Sequence, residues 1–178
     1  MGKRKIPKME FRYYKMPEGS PILALLGEKW LQSYGRDVDY LHFHNFLEIG
    51  YCYGGHGDMV LGEQNLRFKG NQYSVIPRNY PHTTNSDPGT VSQWEYLFVD
   101  VENFLREHNG GGAAMRTERM IQRINSRAVL VNVKEFPGIA KLIRQLLEIM
   151  RETNEYYLEE AKGILTALLI NIARENHF

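Results

Sequence analysis

His42 and His44 stand two residues apart, and Glu48 follows four residues after the second of them. Neutral imidazoles and one carboxylate form a donor set that suits Zn, Fe, Mn, Ni or Cu. On a strand, side chains two apart share a face, so His42, His44 and Glu48 can all point to one side of a sheet, and a third histidine from a neighbouring strand would complete a four-ligand site. Glycines frame the group, giving Gly35-x6-His42-x-His44-x3-Glu48-x6-Gly55, and a second spaced group, Gly70-x6-Pro77-x4-His82-x2-Asn85, follows about one hairpin later. Further on, Trp94, Tyr96 and Phe98 alternate along one stretch and would present an aromatic face on which sugar C–H groups stack. Tyr51 has the same status. Both faces of this stretch are largely apolar, so the parity that points inward is open.

The elements that must position these residues read as short strands. From Tyr40 to about Val101, apolar or alternating runs are separated by Gly, Asn, Asp and Pro, the habit of an all-β barrel or sandwich. Strands are expected near 40–53, 57–61, 66–69, 72–76 and 92–101, with turns at Gly54-Gly55, 62–65, 69–71 and Asp87-Pro88-Gly89. Residues 1–21 read as an irregular polar arm whose Phe11, Tyr13 and Tyr14 lie against something, and 22–30 is ambiguous between strand and helix. Residues 109–112 form a Gly-rich linker, 113–124 a helix, and 128–133 one last strand.

Beyond Pro137 the period becomes helical. Leu142, Ile143, Leu146, Leu147, Ile149 and Met150 form one apolar stripe, and Leu158, Ala161, Ile164, Leu165, Leu168, Leu169 and Ile172 a second. Thr153, Asn154 and Glu155 between them make a turn with capping chemistry, so two helices should run antiparallel. The excess apolar face must be buried against the barrel, a second subunit or a further domain.

The totals agree with such a domain. At 178 residues the chain can bury a sizeable core, and 43% hydrophobic with 24% charged residues fits neither disorder nor a membrane span. A lone cysteine, Cys52, and the absence of a secretory pattern point to the cytoplasm. Residues 1–15 hold six basic side chains against Glu10, so the remainder of this nearly neutral chain is net negative and shows no nucleic-acid surface. The Lys3–Lys8 cluster reads as a solvated end, Arg116, Arg119 and Arg123 as the solvent face of a helix, and Gly110 to Gly112 as a linker, not a phosphate loop.

The ordered Gly, paired His, Glu, Gly and then Gly, Pro, His resembles the two motifs of the cupin superfamily, with Asn79 in place of the glycine usual after the proline. That resemblance implies His42, His44, Glu48 and His82 as metal-ligand positions. The flanking words narrow it: the run from His42 to Tyr51, Gly55-x-Gly57, Ile76-Pro77, Tyr80-Pro81-His82 and Trp94-Glu-Tyr-Leu-Phe98 look like the N-terminal sensor domain of AraC-type regulators, closely over 35–105 and more loosely over the helical tail. The resemblance implies a cupin-type double-stranded β-helix (jelly-roll) barrel at 1–133 and a helical dimerisation segment at 134–178, with a helix-turn-helix DNA-binding domain following outside the chain.

The expected function is effector sensing and dimerisation for a transcriptional regulator. Its small-molecule effector, a carbohydrate by preference, would meet His42, His44, Glu48, Tyr51, His82, Trp94 and Tyr96. The cofactor is a divalent Zn, Ni, Mn or Fe, or none. A homodimer is expected through Leu142, Leu146, Ile149, Leu165, Leu168 and Ile172, contact with DNA only through the absent domain, and no membrane. The alternative is a stand-alone metal-dependent isomerase or dioxygenase built on the same four ligands.

Overall fold

A computed structural model describes residues 8–27, 31–32, 40–109 and 114–176. The described residues form strands β1 (Lys8–Arg12), β2 (Ile22–Leu25), β3 (Leu31–Gln32), β4 (Tyr40–His44), β5 (Leu47–Gly54), β6 (His56–Leu61), β7 (Gln64–Lys69), β8 (Gln72–Ile76), β9 (His82–Ser86) and β10 (Ser92–Val99). Helices α1 (Val101–Asn109) and α2 (Ala114–Ile124), strand β11 (Val129–Asn132), and helices α3 (Pro137–Glu152) and α4 (Tyr157–Glu175) complete the order. Two sheets run β1-β4-β9-β6-β7 and β11-β8-β5-β10-β2, with β3 also on β10. Mostly β and closed by helices at its C-terminal end, the fold is that of a cupin-like barrel.

Strand alternation sorts side chains into two cores. Between the sheets lie Cys52, Met59, Leu61, Phe68, Ile76, Trp94, Tyr96 and Phe98. The opposite faces of the same strands, with Leu47, Ile49, Tyr51, Tyr73, Val75, Leu97 and Val99, pack under α1–α4 in one continuous cluster. The second sheet is therefore buried on both sides, which explains why β5 and β10 read as largely apolar on both faces and left their parity open.

Several sequence expectations are corrected. The arm contains β1, a short strand parallel to β4 with Glu10 opposite His42 and Arg12 opposite His44; five mixed residues carry no period of their own, and the partner strand's free edge makes the pairing. The run 40–53 is two strands, broken at Asn45-Phe46, where the chain crosses from one sheet to the other. The strand expected over 92–101, β10, stops at Val99, because Asp100 accepts a hydrogen bond from the Asn103 N–H (3.3 Å) and starts α1 there. Polar β9 has no apolar signature, yet it joins β4 to β6. The helical turn falls at the expected residues, but backbone closes it: Thr153 and Tyr156 adopt φ of 47° and 63°, and neither helix has a side-chain cap.

The six residues expected at a dimer contact have another role. Leu146, Ile149, Leu165, Leu168 and Ile172 are buried within the protomer's own helix-to-sheet core, and Leu142 is partly buried against it. Within the protomer these stripes pack in the core that the helices share with the second sheet.

Candidate functional site: a histidine and glutamate cluster inside the barrel

The crossover at Asn45-Phe46 places His42 and His44 on one sheet and Glu48 on the facing one, so the three meet across the barrel interior instead of along one strand. β9 pairs with β4 at a single register point, His42 opposite His82, which brings the third imidazole to the group. The turn ahead of β9 depends on Asn79 in the left-handed region (φ 58°), its N–H donating to the His44 carbonyl at 2.8 Å. One donor atom from each of His42, His44, Glu48 and His82 lies within 4.8 Å of the others. His44, Glu48 and His82 are buried.

Hydrogen bonding assigns the protons. His44 Nδ1 lies 2.9 Å from the Phe46 carbonyl oxygen and His82 Nδ1 lies 2.8 Å from that of Tyr80. A carbonyl oxygen only accepts, so each Nδ1 carries a hydrogen and each Nε2 turns inward, bare while its ring is neutral and a donor once the ring is protonated. These two Nε2 atoms are 3.3 Å apart, and Glu48 Oε2 lies 2.9 Å from the first and 3.4 Å from the second. Three lone-pair atoms at such separations require positive charge among them, either a proton on one ring or a metal ion. Burial by itself would raise the Glu48 carboxyl, but the charge of His82 and the hydrogen bonds from both rings outweigh it and hold Glu48 well below the usual carboxylate range. Burial, reinforced by the charge of His82, pushes His42 down to about 2, so that ring is neutral, as a ligand must be. The His42 Nδ1 is buried and has no hydrogen-bond partner among the described residues.

The arm supplies a cover that sequence reading left without a role. Tyr14 stacks on Phe98 with ring centroids 4.1 Å apart and meets the edge of His44 at 5.8 Å. Asn45 fixes it by a reciprocal pair of hydrogen bonds, accepting from the Tyr14 N–H and donating to its carbonyl, both at 3.0 Å. No spacing rule links residues 14, 45 and 98; the only hint was an aromatic pair in a polar arm.

Of the other expected site residues, Trp94 and Tyr96 do point into the barrel, stacked with centroids 5.8 Å apart. The Trp94 Nε1 and Ser74 Oγ are buried without hydrogen-bond partners among the described residues. Tyr51 does not join them: it faces the helices on the far side of the sheet. Gly35 lies outside the described residues.

A model of the AraC-like ligand-binding domain matches residues 32–169. The chain belongs to that family. Among curated proteins, none matches. Among solved structures, ToxT from Vibrio cholerae O395 is 10% identical, with 87% of this chain and 55% of that one covered and a TM-score of 0.53. The AraC-like transcriptional activator CuxR is 10% identical over 71% of this chain and 42% of its own, at a TM-score of 0.43. Oxalate decarboxylase from Bacillus subtilis, which has Mn(II) centres, is 13% identical over 46% and 22%, at 0.37. The AraC-like domain thus spans little more than half of the ToxT chain, and at such identities ToxT is evidence of fold alone.

Proposed function

We propose that this AraC-like domain is the sensing and dimerisation part of a transcriptional regulator, in which a small polar effector enters the barrel and is read at His42, His44, Glu48 and His82. The observation that carries the reading is the set of inward-facing lone pairs and partnerless polar atoms gathered beneath Tyr14. A carbohydrate suits these groups. Its hydroxyls both donate and accept, so they match the Trp94 N–H and the His42 and Ser74 atoms together, while its C–H face stacks on Trp94 or Tyr96. Such an effector would bind one arrangement of arm and barrel better than the other, and that difference in affinity is what moves a regulator between states. DNA contact belongs to a domain outside this chain.

The same four residues fit a divalent Zn, Ni, Mn or Fe, by donor type, by the neutral state of His42 and by the carbonyl partners that orient His44 and His82. A metal ion would supply there the positive charge the lone pairs lack.

Self-association falls to the outer side of α4 in this reading. Ala167 and Ile170, three residues apart, belong to neither core and share the outer side of the helix with Gly163 and Thr166.

Thermal-shift measurement with a panel of monosaccharides and disaccharides, with and without added Zn, Ni, Mn or Fe, tests the reading. At least one sugar should raise the melting temperature, and Tyr14→Ala should weaken the shift. Silence across the whole panel, in both metal states, overturns the carbohydrate. Elemental analysis of tag-free protein that finds no metal, with no uptake of any of the four ions, removes the cofactor.

A further inference from the structure

Tyr51 and Tyr53 open on a second feature, outside the barrel. Between the outer face of the second sheet and α3 lies an open cleft of about 980 Å³, a size that accommodates a small molecule. The two tyrosines, with centroids 4.9 Å apart, line it from β5, and Gln93 and Glu95 line it from β10. Pro137, Lys141, Arg144, Glu148 and Arg151 form the opposite wall, three or four residues apart and hence on one side of α3.

The charges of the wall are not evenly used. At one end Arg151 is engaged twice, 2.7 Å from Glu95 and 3.3 Å from Glu148, and Tyr53 donates to Glu95 at 3.5 Å. Lys141 and Arg144 have no carboxylate partner among the described residues. Two cations one helical turn apart therefore face tyrosine rings in a half-enclosed space, where low-dielectric walls concentrate their field. The Tyr51 hydroxyl also has no hydrogen-bond partner among the described residues. A floor of flat rings takes a flat apolar body. The guanidinium fork of Arg144 matches a carboxylate in two hydrogen bonds, with Lys141 beside it as a point charge.

We propose that this cleft is a binding site for a small aromatic carboxylate, with its ring against Tyr51 and Tyr53 and its anionic group on Arg144 and Lys141. The site is separate from the His42 cluster, since the sheet stands between them: Tyr51 and Glu48 lie on opposite faces of β5. Occupied, it ties α3 to the strand that carries Glu48. The ligand thus contacts both the barrel wall and the hairpin leading to the chain's C-terminal end.

Isothermal titration with 1-naphthoate as the probe, and 1-naphthamide as its uncharged counterpart, tests the assignment on the full chain. Naphthoate should bind in the micromolar to millimolar range, and Lys141→Glu with Arg144→Glu should weaken it at least roughly tenfold. His82→Ala should leave binding unchanged, and naphthamide should bind weakly and alike to both proteins. The two charge reversals lie at exposed positions; should they lower the melting temperature, Lys141→Gln with Arg144→Gln gives the same comparison. Absence of binding at millimolar naphthoate, equal affinity in the charge variants, or loss on His82→Ala each overturns the site. The last result would move the ligand into the barrel and leave the sensor reading standing, whereas failure of the sugar panel leaves this cleft untouched.

Discussion

At the scale of single residues, Glu48 is the group on which the cluster turns. It is 5% exposed and, among the described residues, is the one carboxylate within hydrogen-bond distance of His44 and His82. Glu48→Ala should destabilise the fold by about 3–5 kcal/mol, the range for removing one partner of a buried charge pair. Glu48→Gln should cost clearly less, because its amide N–H can donate to a bare imidazole nitrogen. Urea unfolding of the two variants checks this order, and equal costs would count against the proton assignment. Cys52 gives a pH prediction of opposite character. Burial pushes its thiol up to about 12 from an ordinary 9.0, so between those values the unfolded chain releases a proton that the folded chain keeps. Stability should therefore fall as pH rises from about 9 towards 12, by up to ~1.4 kcal/mol per pH unit, and Cys52→Ala should remove that contribution. At pH 8 the native thiol should be inert to alkylation until the protein unfolds.

At the scale of elements, close strand approach and helix propensity act on different glycines. A Cβ at Gly57 would lie 2.0 Å from the Asn85 carbonyl oxygen and 2.8 Å from Ser86 Cα, both backbone atoms of the paired strand β9. Gly57→Ala must push β6 from β9 and with it disturb the strand that carries His82; a cost of about 3 kcal/mol is expected. Gly163, within α4, has nothing within 4 Å of such an atom and lies exposed. Gly163→Ala should stabilise by about 0.5–1 kcal/mol, since only backbone entropy changes. Calorimetric melting of the pair should move in opposite directions. The sequence announced one of these strands and concealed the other: β6 alternates apolar side chains, while β9, His-Thr-Thr-Asn-Ser, owes its strand form to neighbours on both sides.

At the scale of the whole molecule, the hairpin is part of the core. Leu168 is wholly buried between helix and sheet, so Leu168→Asp should unfold the protein, whatever its assembly state. Ile170, two residues on, is only partly buried and belongs to neither core. Ile170→Asp should leave the melting temperature within a few degrees of the parent and, if α4 joins two copies, convert dimer to monomer in sedimentation. A dimer that survives this substitution would place the contact elsewhere.

Short alternating runs with turn residues between them, a 3.6 period after Pro137 and the spaced His, Glu, Gly and Pro of two motifs were legible without coordinates, because each is a local consequence of backbone period or turn chemistry. The metal-competent quartet was legible too, through its spacing and its likeness to a known family. Tertiary structure decided the rest. Tyr51 and Trp94 both read as aromatic, yet a strand buried on two faces gives too little polar alternation to tell its sides apart, and the fold put one toward the helices and the other inside. Likewise an amphipathic stripe states that a helix must be covered, not by what, and within the protomer these stripes meet the neighbouring helices and the second sheet in one core. The Tyr14 cover over His44 depends on residues far apart in the chain, a distance that no periodicity can span.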